Sequence, residues 1–294
     1  MSQPELPAIR FHEDSDLFQE SVRFTAAETA FAARLIEKDY FCTVVLAYLA
    51  VAASDDLVFK GGTCLAKVYA ELYRLSEDLD FAIPIRVEAS RSERRRRVEG
   101  VKGAVAALSK RLAGFRVLGP LKGANNSTQY VAVVGYTSLL SREQETIKIE
   151  VGLREPLLMP AVEGLARTLL LDPVTGNPLV PPVSVRCISK TEALAEKFRA
   201  ALSRREAAVR DFYDIDHAVR KGGLHPGAID LVRQVKQKLT VPGNEPVDVS
   251  GERLATLRKQ IGSQLRPVLR EEDFAEFDLD RAFNMVVEMA KALR

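Results

Sequence analysis

The most specific chemistry in this sequence lies in two short stretches, Phe59-Lys60-Gly61-Gly62-Thr63-Cys64-Leu65 and, one helix-length later, Ser76-Glu77-Asp78-Leu79-Asp80-Phe81. Carboxylates at i and i+2 of a strand share a face, so Asp78 and Asp80 would present hard oxygens together while Leu79 and Phe81 turn to the core. Mg2+ suits such a pair, because it takes one or two protein carboxylates and completes its shell with water and substrate phosphates. Gly61 and Gly62 let the backbone of the Lys60 to Thr63 turn approach a polyphosphate with no side chain in the way. A helix begun right after Gly62 would aim its positive end at that phosphate. Either stretch alone is an ordinary turn or strand edge. Together they predict strand, Gly-Gly turn, helix and carboxylate strand, a unit built to hold Mg2+ and a nucleoside triphosphate donor.

The elements that must position these residues can be read from apolar spacing. Thr25-Ala26-Ala27-Glu28 has the form of a capping box and predicts a helix start, with a second helix over 39–53. The first strand is expected over 56–60, a helix over 63–74 from Leu65, Val68, Tyr69 and Leu72, and the carboxylate strand over 78–85. A basic helix over 90–112 follows, then strands over 115–118, 129–137 and 145–153. In Ile147-Lys148-Ile149-Glu150-Val151 the alternation puts Lys148 and Glu150 on one face. Glu150 is therefore either a third metal carboxylate or a solvent-facing partner of Lys148.

The Pro- and Gly-rich segment 171–183 reads as a connecting loop and the domain boundary. Beyond it the pattern is helical. Ser189-Lys190-Thr191-Glu192 opens a helix through Arg205, with Lys197 on its more polar side, and further helices are expected over 207–219, 227–239, 252–265 and 271–293. The fold expected is α/β (α+β), a mixed-sheet domain over 1–182 followed by a mostly helical domain over 183–294.

Composition sets limits. With 294 residues, 47% hydrophobic and 28% charged, the chain can bury one or two cores. The apolar run 41–53 is too short to cross a bilayer, and Met1 to Asp16 lacks a basic segment followed by an apolar one, so a cytoplasmic protein with no membrane partner is expected. Three cysteines and three histidines without ligand spacing argue against zinc and against a disulfide framework. The net charge of +2 is unevenly spread: from Arg86 to Lys122 there are eleven Lys or Arg against three Glu, centred on Arg94-Arg95-Arg96-Arg97. That run is either a phosphate-binding patch or the solvated face of an amphipathic helix.

These motifs, in this order, resemble the AbiEii/AbiGii (MenT-like) toxin proteins, the toxin half of type IV toxin–antitoxin and abortive-infection systems, within the DNA polymerase beta-like nucleotidyltransferase superfamily. The resemblance covers most of the chain. It is carried by Ile36-Glu37-Lys38-Asp39-Tyr40, Lys60-Gly61-Gly62-Thr63, Ser76-Glu77-Asp78-Leu79-Asp80, and Glu196-Lys197-Phe198-Arg199-Ala200 followed by Arg210-Asp211-Phe212-Tyr213-Asp214. It implies a polymerase beta-like core in which Asp78 and Asp80, with Glu150 as a third acid, hold Mg2+. Lys197 would bring positive charge to the triphosphate. Asp214 would position Lys197 or a sugar hydroxyl, with Asp211 competing for that role, and Arg210 would anchor its loop by pairing with an acid. Ser76 would line the nucleotide pocket, where phosphorylation would set new negative charge beside the carboxylates. The implied activity is transfer of a nucleotide from an NTP to the 3' end of tRNA, blocking translation, with a cognate antitoxin as partner. NMP or phosphoryl transfer to a protein, and a catalytically silent nucleotide-binding regulator, are the alternatives.

Overall fold

The computed structural model describes residues 9–53 and 56–294. By internal contacts the chain divides into two compact units, the first running to Leu157 and including Ala161–Cys187, the second comprising Leu158–Pro160 and Ile188–Arg294.

A mixed sheet of seven strands forms the first unit: β1 (Val58–Lys60), β2 (Asp78–Ala82), β3 (Phe115–Ala124), β4 (Gln129–Thr137), β5 (Gln144–Gly152), β6 (Val162–Ala166) and β7 (Val183–Cys187), in the order β3-β4-β5-β2-β1-β7-β6. The β2–β5 and β1–β7 pairs are parallel and the rest antiparallel. Its helices are α1 (Ser15–Thr29), α2 (Ala33–Ala52), the single turn α3 (Gly61–Cys64), α4 (Arg91–Arg97) and α5 (Glu99–Arg111). Leu79, Phe81, Ile147, Ile149 and Val151 alternate along β2 and β5 and are buried, whereas Asp78, Asp80, Lys148 and Glu150 between them are partly exposed. The sheet thus has one core face and one wet face, as the period of two requires.

Every residue of α2 from Leu35 to Leu49 is buried, which explains why its sequence is apolar nearly all round. The exceptions, Glu37, Lys38 and Asp39, each have partners. Glu37 accepts from Ser138 Oγ at 2.6 Å and Leu139 N at 2.7 Å, in the turn between β4 and β5. Lys38 Nζ meets Glu145 Oε2 at 3.1 Å. Asp39 Oδ1 lies 2.6 Å from Lys67 Nζ, and Asp39 Oδ2 accepts from Thr168 Oγ1 at 2.6 Å. The Lys67 ammonium also donates to Thr43 Oγ1 and to the Arg167 carbonyl.

Several expected elements differ. Thr25 starts no helix: α1 begins at Ser15, capped by the Asp14 side chain accepting from Leu17 N. Thr25 is buried mid-helix, where its hydroxyl donates to Ser21 O at 2.7 Å and accepts from Leu171 N at 2.9 Å, the back-bonding open to a threonine inside a helix. The helix expected over 63–74 is shorter. After α3 the chain widens into a π turn over Leu65–Tyr69, and Glu71 and Leu72 take positive φ of 48° and 59° to bring the backbone round to β2. The basic helix breaks at Val98 into α4 and α5, and Arg94 is buried, donating to the carbonyls of Leu153 and Val87. β6 and β7 were not expected. β6 is a short edge strand containing Gly164 with little alternation, whereas β7 carries a legible alternation in Val183-Ser184-Val185-Arg186-Cys187.

The second unit contains α6 (Lys190–Ser203), α7 (Val209–Arg220), α8 (Ile229–Leu239), α9 (Gly251–Gln260), α10 (Glu271–Glu276) and α11 (Leu279–Ala292). Ser189 caps α6 by accepting from Glu192 N, as expected. The Glu192 carboxylate is buried, accepts from Leu158 N and Met159 N, and pairs with Lys238 Nζ at 2.7 Å, which ties the short segment 158–160 to this unit. The last expected helix is interrupted at Asp278, whose side chain caps α11. No helix among the described residues is long and apolar enough to cross a membrane.

The Asp39–Lys67 pair leads to a stability prediction. Removing one partner strands the other charge in a site that is 1–2% exposed, so Asp39→Ala should cost about 3–5 kcal/mol. The double variant Asp39→Leu, Lys67→Met should recover part of that loss in denaturant unfolding. Equal destabilisation of single and double variants would mean that packing, and not the stranded charge, sets the cost.

Candidate active site

Lys60, the last residue of β1, is fully extended, and Gly61 after it takes φ 78°. β1 and β2 pair antiparallel with Lys60 opposite Asp80, so Gly61 is brought against the Asp80 side chain. A Cβ on Gly61 would run into the Asp80 carboxylate and lie 2.9 Å from Asp80 Cβ. Two independent constraints, backbone conformation and this close approach, therefore demand glycine here.

Thr63 is buried, and its hydroxyl donates to the Asp78 carbonyl at 2.6 Å. It thus fixes the start of β2 to the turn. Gly62 is buried beside it in α3. With only four α-helical residues, α3 supplies much less dipole than the helix expected after Gly62, so side-chain-free backbone is the turn's main offering. Ser76 lies half-buried in the coil two residues before β2.

Asp78 and Asp80 share the wet face of β2, alternating with buried Leu79 and Phe81. In the parallel β2–β5 register Asp78 is level with Lys148 and Asp80 with Glu150. Three carboxylates and Lys148 thus occupy neighbouring positions on two strands. Lys148 Nζ donates to Glu150 Oε2 at 2.8 Å. Burial alone would push the Glu150 carboxyl up, but the bond and charge of Lys148, a bond from Gln129 and the charge of Lys60 together hold it below the usual carboxylate range. Burial would lower Lys148, and Glu150, Asp78 and Asp80 instead raise it above an ordinary lysine.

Among the described residues no group of three or more His, Cys, Asp or Glu side chains is arranged to hold a metal. Glu150 is paired with Lys148 on this face. Asp78 and Asp80 remain a two-carboxylate set beside an open glycine, a donor set that suits a hard cation whose remaining ligands are water and phosphate.

The second unit holds the other expected residues. Lys197, on α6, is nearly buried, at 12% side-chain exposure. Its Nζ sits 2.8 Å from Asp211 Oδ1 and 2.8 Å from Asp214 Oδ2, both on α7. Asp214 is fully buried, and Asp211 also meets Arg204 at 3.3 Å. Both candidate aspartates therefore hold the same ammonium. Arg210, expected to pair with an acid, donates through Nε to the Gln264 carbonyl at 3.1 Å.

Sequence reasoning did not single out Lys67 or Gln129. A charged residue four positions after Thr63, in a run that is otherwise apolar, was the available signal for Lys67. Gln129 carried none, because its contact to Glu150 depends on the β4–β5 register.

No curated protein gives a significant match. Among solved structures, the chain is similar to JHP933 from Helicobacter pylori, with a TM-score of 0.51 at 17% identity over 90% of this chain and 93% of that one. It is also similar to MenT4, a nucleotidyltransferase toxin from Mycobacterium tuberculosis H37Rv, with a TM-score of 0.51 at 20% identity over 94% of this chain and 99% of that one. At such identities the likeness concerns the fold. The sequence profile described as nucleotidyl transferase AbiEii toxin, type IV TA system, matches residues 45–288, a span that takes in the Gly-Gly turn, the Asp78 and Asp80 strand and the Lys197 cluster, and the chain accordingly belongs to the AbiEii family of nucleotidyltransferase toxins.

Proposed function

We propose that this toxin transfers a nucleotide from an NTP to the 3' end of an RNA, tRNA in the first instance, in a Mg2+-dependent reaction that releases pyrophosphate. The observation that carries the reading is the apposition of Asp80 to Gly61, with Asp78 two residues away on the same face. At this turn the backbone is bare next to the acids. An acceptor hydroxyl oxygen forms a bond to the α-phosphorus and gives up its proton to solvent, while the bond to the bridging oxygen breaks and pyrophosphate leaves. Asp78 and Asp80 would hold the ion, Gly61 and Gly62 would give the phosphates access, and Thr63 keeps turn and strand in register. A bound Mg2+ would neutralise phosphate charge and lower the pKa of the attacking hydroxyl. Lys197, which pairs with Asp211 and Asp214, is proposed as a further residue that transfer requires.

An RNA acceptor is favoured by the exposed cations of the first unit. Arg91, Arg95 and Arg96 on or beside α4, and Lys110, Arg116 and Lys122 further along, are exposed, whereas Arg94 is buried and Arg97 pairs with Asp56 at 3.1 Å. The basic patch is therefore smaller than the run of four arginines suggests. A neighbouring antitoxin is the expected protein partner of an AbiEii toxin.

Purified protein incubated with total cellular RNA, Mg2+ and each α-labelled NTP should label one small RNA band, and Asp80→Ala and Lys197→Ala should lose the label. Binding of triphosphate without any RNA label would overturn the RNA reading in favour of a protein acceptor or of nucleotide binding without chemistry. Gly61→Ala should lower transfer by about a hundredfold, since the new methyl group displaces Asp80 from its position, while the far-ultraviolet circular dichroism stays unchanged. Replacing Arg95 and Arg96 by alanine should weaken RNA binding and reduce the slope of log K against log salt by about one to two. An unchanged slope would place the RNA elsewhere.

A further inference from the structure

Lys148 belongs to the carboxylate face but has no part in the chemistry assigned above. It is level with Asp78 across the β2–β5 pair, and Glu150, to which it donates at 2.8 Å, is level with Asp80. Ile147, Ile149 and Val151 on either side turn into the core, so the ammonium cannot leave this face without unpairing the strand. With side-chain exposures of 44% and 28%, the Lys148–Glu150 pair is too solvated to add much stability. A stability role therefore does not account for the lysine, but its charge beside two metal-type carboxylates does.

We propose that Lys148 is a positioning residue for the metal: its ammonium keeps Glu150 engaged, leaves Asp78 and Asp80 as the protein ligands, and opposes a divalent ion that arrives without a nucleotide. This rests on the reading that Asp78 and Asp80 hold the ion. A fixed positive charge close to the ion weakens its binding to the empty protein. A triphosphate brings negative charge that offsets the repulsion, so ion and nucleotide bind cooperatively, each raising the other's affinity by the same factor. The site would then load the ion mainly together with its substrate.

Mn2+ binding to the full chain, followed by the electron paramagnetic resonance signal of free Mn2+, tests this without turnover. The measurement is made with and without a non-hydrolysable α,β-methylene triphosphate. Lys148→Met should tighten Mn2+ binding to the nucleotide-free protein by about tenfold, the effect expected of one charge at this range. It should also shrink the gain that the triphosphate brings. Lys148→Arg, which keeps the charge, should behave as wild type, and Glu150→Gln, which removes one nearby negative charge but no ligand, should weaken Mn2+ binding by about tenfold at most, far less than Asp80→Asn. Wild-type affinity in Lys148→Met, or a loss in Glu150→Gln as large as in Asp80→Asn, would overturn the proposal, and the Glu150→Gln arm decides it even if Lys148→Met fails to fold. If Asp80→Asn itself binds Mn2+ like wild type, the assignment of the metal to this face falls first, and the role of Lys148 falls with it.

Discussion

Lys67 and Asp39 are buried together, at 1% and 2% side-chain exposure, and the carboxylate supplies the countercharge that makes the ammonium tolerable there. Around this pair three segments meet: α2 through Asp39 and Thr43, the turn after β1 through Lys67, and the chain after β6 through Arg167, Leu169 and Thr168. Lys67 lies four residues after Thr63, and Thr63 is bonded to the Asp78 carbonyl. The ion pair thus anchors the short helix that carries the glycine turn, and through Thr63 the start of the carboxylate strand. Interior polar groups stay buried only when fully bonded, and this one is bonded from several sides.

From that anchor the rest of the first site follows by strand register. Antiparallel pairing of β1 with β2 brings Gly61 to Asp80, and parallel pairing of β2 with β5 brings Lys148 and Glu150 to Asp78 and Asp80. A slip of one residue in either pairing would send the acids into the core and Leu79 and Phe81 into water. The burial of those two side chains therefore holds the carboxylates outward. Core packing and site geometry are the same constraint seen from opposite faces of one sheet.

Charge is handled differently around Glu150 and around Lys197. Around the first, Glu150 on the wet face meets Lys148 in a partly solvated pair. In the second, Lys197 is fixed by two carboxylates, one of them fully buried, and Asp216 is held in the same manner by Arg220 and Arg281. An ammonium gripped at 2.8 Å from two sides has little freedom to search, so its position is set by the packing of α6 against α7.

Local chemistry was enough to identify the Gly-Gly turn, the face shared by Asp78 and Asp80, the capped start of α6 at Ser189, and the mixed α/β class, because glycine conformations, strand alternation and capping hydroxyls act over a few residues. The resemblance carried by those motifs led to the AbiEii family. The same local rules misread Thr25, since a Thr-x-x-Glu pattern inside a continuing helix is chemically identical to one at its start. They also overextended the helix after Thr63, where two residues with positive φ end it, and treated all four arginines from Arg94 as surface, though Arg94 caps backbone carbonyls. Only the tertiary structure could show that Glu150 contacts Lys148, that Thr63 donates its hydroxyl to β2, that Asp211 and Asp214 share one lysine, and that Asp39 meets Lys67. Each of these depends on which strand or helix lies alongside which, and pairing between segments tens of residues apart is set by the burial of whole faces, a property no short stretch of sequence contains.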